Sequence, residues 1–138
     1  MEFEGRDLPE ALDGAVRAVM AEAPVALDFS VRGDRRSLSP LVETTALRIG
    51  REAVVNALKH ANAGTVEVRL EYAPGVLLLE VADDGRGMTP GAAEVAASDG
   101  HLGIVGMRAR AGRAGGTIEI ASQPGTGTTI RVTLPITA

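Results

Sequence analysis

Apolar residues fall into two rhythms along the chain. Leu8, Leu12, Ala15, Val16 and Val19 recur at helical spacing, and Asp7 with Glu10 three residues on is a helix-start signal. Pro24 stops that helix. Val25, Leu27, Phe29 and Val31 then alternate with smaller or polar residues, the pattern of a half-buried strand, and Gly33-Asp34 turns the chain. Ser39-Pro40 caps a second, longer helix that runs to about Ala61, with Leu47, Val54, Val55, Leu58 and Ala61 on its apolar side. Asn62-Ala63-Gly64 ends it. Val66, Val68, Leu70 and Tyr72 alternate in a second strand, and Ala73-Pro74-Gly75 is a turn. Val76 to Ala82 is more continuously apolar, which predicts a strand central in its sheet.

Thr89 to Leu102 is rich in small residues and has no strong stripe, so it reads as a loop with one short helix. Ile104, Met107, Ala111 and Ala114 predict a third main helix from about Gly103 to Ala114, broken by Gly115-Gly116. Ile118 and Ile120 mark a fourth strand and Ile130, Val132 and Leu134 a fifth, with Gln123 to Gly127 as the turn between them. Strands two and three, and four and five, are joined by short turns and are therefore antiparallel pairs; helices fill the other connections. The expected fold is a two-layer α/β sandwich, with one mixed sheet of about five strands and about three helices on one face. Residues 1–7 read as a disordered or artificial end, and residues 8–138 as one domain without internal repeats.

Composition narrows the function. A formal charge of -4 gives no electrostatic footprint for nucleic acid or an anionic membrane. There is no cysteine, hence no disulfide and no thiolate metal site. No apolar run approaches the roughly 18 residues of a membrane span. Glu10, Asp13 and Arg17 interrupt the first apolar segment, so it does not read as a signal peptide. The expectation is a cytoplasmic domain. Aromatic residues are few (Phe3, Phe29 and Tyr72), so the core must be aliphatic.

Three segments carry candidate chemistry. In the first, Glu52 and Asn56 are four residues apart on the long helix, and Lys59 and His60 lie three and four beyond Asn56, which extends the polar edge by one turn. Carboxylate and amide oxygens suit Mg²⁺, which keeps waters and phosphates as further ligands. Lys59 is the chain's single lysine, a compact charge useful against a phosphate. An ordinary solvated helix face would show the same residues. In the second, Asp83-Asp84-Gly85-Arg86-Gly87-Met88 follows the third strand directly. Glycines there let the backbone approach a flat ligand, and a carboxylate beside them can accept from an exocyclic amine; a plain Asp-Gly turn is the alternative. In the third, Gly100-His101-Leu102-Gly103-Ile104-Val105-Gly106-Met107-Arg108 leads into the third helix, whose free N–H groups could hold phosphate oxygens. It follows no strand and lacks a Gly-Lys-Ser/Thr ending, so it is neither a dinucleotide fingerprint nor a P-loop.

In this order the segments resemble the ATP-binding catalytic domain of bacterial sensor histidine kinases, within the GHKL ATPase superfamily. Arg51 to Ala61 resembles its N box, Asp83 to Gly87 its Asp-x-Gly-x-Gly box, Gly103 to Arg108 its second glycine box, and Gly125-Thr126-Gly127-Thr128 its closing Gly-x-Gly-Thr. Lys59-His60-Ala61 and Gly106-Met107-Arg108 are similar to the NarL/DesK-like branch. The resemblance covers about residues 8 to 135 and implies a Bergerat-type fold, with ATP between the long helix and a lid. It implies that Asn56 coordinates Mg²⁺, that Lys59 and His60 face the phosphates, and that Asp83 receives the adenine amine. Gly85 and Gly87 would let the adenine pack close, with Met88, His101 and Leu102 also at the ATP site. Gly103 and Gly106 would lie beside the phosphates, and Thr128 would support the adenine pocket. Glu52 would be catalytic, activating water in the superfamily's ATPases and polarising or structural in its kinases.

Two departures from the family pattern stand out. The family's phosphoaccepting histidine lies on a separate helical dimerisation segment, whereas His60 and His101 both fall inside nucleotide motifs. The lid is short and has no Phe. The expectation is therefore a monomeric catalytic domain of a larger kinase. Its partners would be the dimerisation and histidine-phosphotransfer domain of that kinase and a downstream response regulator. Two other functions share these boxes: a free-standing serine kinase of the anti-sigma-factor type, and a module that holds ATP without chemistry. Intact Glu52, Asn56 and Asp83 argue against the last.

Overall fold

The computed structural model describes residues 8–21, 23–61, 64–85 and 104–136. They form helix α1 (Leu8–Met20), strand β1 (Ala26–Gly33), helix α2 (Pro40–Asn56) continued by a π-helical turn (Ala57–Ala61), strands β2 (Thr65–Ala73) and β3 (Val76–Asp83), helix α3 (Ile104–Arg113), and strands β4 (Thr117–Gln123) and β5 (Gly127–Pro135). The five strands make one mixed sheet in the order β1-β2-β3-β5-β4. β1 and β2 are parallel and every other neighbouring pair is antiparallel. β3, the most continuously apolar strand, is the central one, as its pattern predicts.

Helix α1 buries the stripe that defines it, whereas α2 buries Val42, Ala46, Ile49, Ala53 and Val54. It leaves Leu47, Val55 and Leu58 of its expected stripe only half-buried, because the helix turns a neighbouring face to the sheet. Leu8, Leu12, Val16 and Met20 of α1, four residues apart in turn, are all buried. α1 packs on α2, and α2 on α3, β3 and β5. Gly50 makes the first of these contacts possible: a Cβ there would stand 2.7 Å from Leu12 Cδ1. Ser39 caps α2 as its sequence implies, its Oγ accepting from the Val42 N–H at 3.2 Å, with Pro40 in the first turn. From the sheet, Val66, Val68, Leu70, Leu77, Leu79, Val81, Ile130, Val132 and Leu134 point into the same aliphatic core. Glu43, 1% exposed, and Tyr72, 3% exposed, carry polar groups into this core. Burial pushes the Tyr72 hydroxyl above its ordinary pKa, against the pull of Arg35 and with the help of Glu10 and Glu43.

The other face of the sheet is polar. Arg69, Glu80 and Arg131 lie on one rung across β2, β3 and β5. Arg131 reaches Glu80 through Nε at 2.9 Å and Nη2 at 2.7 Å, and Arg69 reaches it at 3.3 Å. Glu80 holds the Arg131 guanidinium above its ordinary pKa. With Arg32, Glu71 and Leu78, this rung lines an open hollow of about 300 Å³.

Strand ends run up to three residues past the apolar residues that predicted them, as in β4 and β5, because backbone pairing continues there. Among the described residues no helix is long and apolar enough to cross a membrane. The end expected over residues 1–7 and the loop expected over residues 89–102 lie outside the described residues.

Candidate functional site

The end of β3, the start of β5 and the turn that closes α2 meet at one end of the sheet. Asp83 is the last residue of β3 and is half-buried. Its carboxylate accepts from the Gly85 N–H at 2.9 Å and from the backbone N–H of Thr128, its register partner on β5. Burial pushes the Asp83 carboxyl above its usual range; the two amide donors pull it back and neighbouring Asp84 pushes further up. Gly85 is itself buried. Thr128 Oγ1 lies 2.8 Å from Ser122 Oγ, and the Ser122 hydroxyl donates to the Gly127 carbonyl at 3.3 Å. Thr128 is thereby held from both flanking strands.

Gly127 permits this crossing. Its φ is +111°, and a Cβ there would sit 1.9 Å from the Asp83 carbonyl oxygen. The glycine two residues before it, Gly125, marks the hairpin but has nothing within 4 Å of its own Cβ position.

Asn56 is the last residue of α2 and only 8% exposed; Glu52, one turn earlier, is half-buried. The helix then changes ladder. Residues Ala57–Ala61 form a π turn, with i→i+5 bonds, that packs against β5. The polar edge drawn from Glu52 through Asn56 to Lys59 and His60 assumes α-helical spacing. The wider turn alters that spacing after Asn56; Asn56 is buried and Lys59 exposed. The His60 side chain, Gly87, Met88, His101, Leu102 and Gly103 lie outside the described residues. Gly106 is exposed in the first turn of α3, and a Cβ there would meet only Arg110 Nη1, at 3.4 Å. No described neighbour requires glycine at that position.

Among the described residues no group of three His, Cys, Asp or Glu side chains converges on a metal. The donors offered near the end of α2 are one carboxylate, Glu52, and one amide, Asn56. That set fits Mg²⁺, which takes few protein ligands and keeps waters and phosphates for the rest, and would be poor for a cation that needs a full protein cage.

Asp84 and Gly127 carry weight at this end beyond their places in the two motifs. Asp84 Oδ1 accepts from the N–H groups of Gly64 at 2.8 Å and Thr65 at 2.9 Å. Its only sequence signal is its place beside Asp83; that of Gly127 is the Gly-x-Gly-Thr run.

Known proteins are similar to this chain in sequence and fold. Residues 42–138 match the family described as histidine kinase-, DNA gyrase B-, and HSP90-like ATPase. The nitrate/nitrite sensor protein NarQ of Escherichia coli is 34% identical over 127 residues, which is 91% of this chain and 22% of NarQ. The sensor histidine kinase LiaS of Bacillus subtilis is 32% identical over 134 residues, 97% of this chain and 36% of LiaS. The chain thus spans about a third or less of the length of these relatives. Among solved structures, the histidine kinase domain of the blue-light activated histidine kinase of Erythrobacter litoralis EL346 superposes with a TM-score of 0.70 at 26% identity, over 94% of this chain and 61% of that one. The Acinetobacter baumannii histidine kinase AdeS superposes with a TM-score of 0.75 over 99% of this chain and 66% of its own; at 16% identity it bears on the fold alone. With a match running over well more than half of its length, the chain belongs to the histidine kinase-, DNA gyrase B- and HSP90-like ATPase family.

Proposed function

We propose that this chain binds ATP with Mg²⁺ at the end formed by β3, β5 and the π turn, as the catalytic domain of a sensor histidine kinase of the NarL/DesK-like kind. The observation that carries this reading is Asp83: a carboxylate penalised by burial, held by two backbone donors, at the same end of the sheet as the buried amide of Asn56. Such a carboxylate gains most from an added donor, and the adenine amine is one. Gly85 and Gly87 let the ring lie close, Thr128 supports it, and Met88, His101 and Leu102 complete the pocket. Lys59, His60, Gly103 and Gly106 attend the phosphates. Asn56 holds Mg²⁺, with Glu52 polarising the same region. When bound, the metal neutralises charge developing on the phosphates.

The γ-phosphate then passes to a histidine on the dimerisation segment of the full-length kinase, and from there to a response regulator. Positioning supplies most of that catalysis, so the isolated chain binds nucleotide without labelling itself. The chain works in the cytoplasm as a monomer until that segment joins it.

Calorimetry and γ-labelled ATP test this. Expected are saturable ATP binding, weak GTP binding, no stable phosphoprotein from the chain alone, and labelling of a supplied dimerisation segment. Asn56→Ala should abolish Mg²⁺-dependent transfer and change metal-free binding much less. Equal affinity for ATP and GTP, or stoichiometric labelling of the isolated chain, would overturn the proposal.

A further inference from the structure

We infer that Asp84 is a positioning residue that fixes the distance between the two halves of the nucleotide site. The inference rests on the function proposed above. An ATP molecule is a ruler: its adenine meets Asp83 on β3, and its metal-bound phosphates meet Asn56 on α2. The two residues belong to different layers of the sandwich, so their spacing depends on the packing of α2 on β3 and β5 and on the chain that joins the layers. Asp84 is placed to hold that chain. It directly follows Asp83, and one oxygen, Oδ1, accepts from the Gly64 N–H at 2.8 Å and the Thr65 N–H at 2.9 Å. Its own N–H donates to the Thr65 carbonyl at 3.3 Å. Gly64 lies three residues beyond the π turn, and its carbonyl accepts from the Ala26 N–H at 3.0 Å. The chain beyond the phosphate-side helix, where β2 begins, is thus tied to the end of the adenine-side strand by the Asp84 carboxylate in addition to the backbone pairing of β2 with β3.

Those amide donors also hold the Asp84 carboxyl below its usual range, Thr65 foremost. The side chain is exposed and turned to backbone, so its removal opens no core cavity and the fold should survive.

The prediction separates ligands by length. Asp84→Ala should weaken ATP–Mg²⁺ binding on the order of 10- to 100-fold, the scale on which small misplacements are felt. It should leave adenosine, which meets only the Asp83 half, within about twofold of the parent. Asp84→Asn keeps an acceptor oxygen and should restore most of the ATP–Mg²⁺ affinity. Calorimetry of the parent and both variants with adenosine and with ATP–Mg²⁺, well below each variant's melting temperature, decides it. An equal loss for both ligands, no loss for either, or no rescue by Asn would overturn the role of Asp84. Failure of the parent to bind ATP would instead overturn the nucleotide reading itself.

Discussion

Asp83 and Thr128 stand opposite one another on β3 and β5, and the Thr128 N–H donates to the Asp83 carboxylate. A strand pair thereby holds in place a charge that burial disfavours. Because burial raises the Asp83 pKa above its reference value of 3.8, the folded chain binds this proton more tightly than the unfolded chain does. The stability contribution is therefore fully present below that reference pKa and is lost as pH rises through the folded-state pKa. Asp83→Asn should raise the melting temperature of the nucleotide-free chain at neutral pH, with the gain fading toward about pH 3. The same variant should weaken ATP binding by on the order of 10- to 100-fold, the loss of one hydrogen bond to a charged group. Thermal melts over a pH series, paired with ATP titrations, check both signs.

Gly127→Ala should be more damaging than Gly125→Ala, although both glycines sit at positive φ, +111° and +80°. At Gly125 the new methyl has open space, and only backbone strain of about 1 kcal/mol applies. At Gly127 the methyl would drive into the Asp83 carbonyl, and we expect roughly 2–4 kcal/mol. Urea denaturation of both variants measures the difference, and Gly127→Ala should also lose ATP affinity because Asp83 must move.

The cap of α2 offers a separate test. Ser39→Ala removes the acceptor of the Val42 N–H at 3.2 Å and should cost about 1 kcal/mol in chemical denaturation. Nucleotide affinity should not change, since the cap and Asn56 are at opposite ends of a 17-residue helix.

On the open face, Glu80 is 18% exposed on its side chain and serves both Arg69 and Arg131. Glu80→Gln should lower the melting temperature more than Arg69→Ala, because it removes the charge shared by both partners. The deficit should shrink as salt is raised toward about 1 M, where the Debye length is near 3 Å. Melts at low and high salt check this.

Local signals were readable in the chain; long-range ones were not. Ser39-Pro40 announced the start of α2, and the alternation of Val66, Val68, Leu70 and Tyr72 announced β2 with its inward face. The more continuously apolar run from Val76 to Ala82 foretold a strand in mid-sheet. Nothing in those patterns names a partner, so the insertion of β5 between β3 and β4 and the parallel pairing of β1 with β2 came only from the fold. The Asp83 and Thr128 motifs were legible one by one, while their pairing depended on register. Asp84 looked like one residue of a turn because its acceptors' donors, Gly64 and Thr65, are about twenty residues away in sequence. The π turn was invisible because the apolar stripe through Leu58 and Ala61 fits α spacing well enough.

That turn bears on anyone who would borrow this helix end. Copying Arg51 to Ala61 onto an ideal straight helix would reproduce the sequence and lose the arrangement, since the helix changes ladder after Asn56 where it packs against β5. The transferable unit is the helix end together with the strand it rests on. A scaffold meant to host these residues needs that supporting strand before it needs the motif.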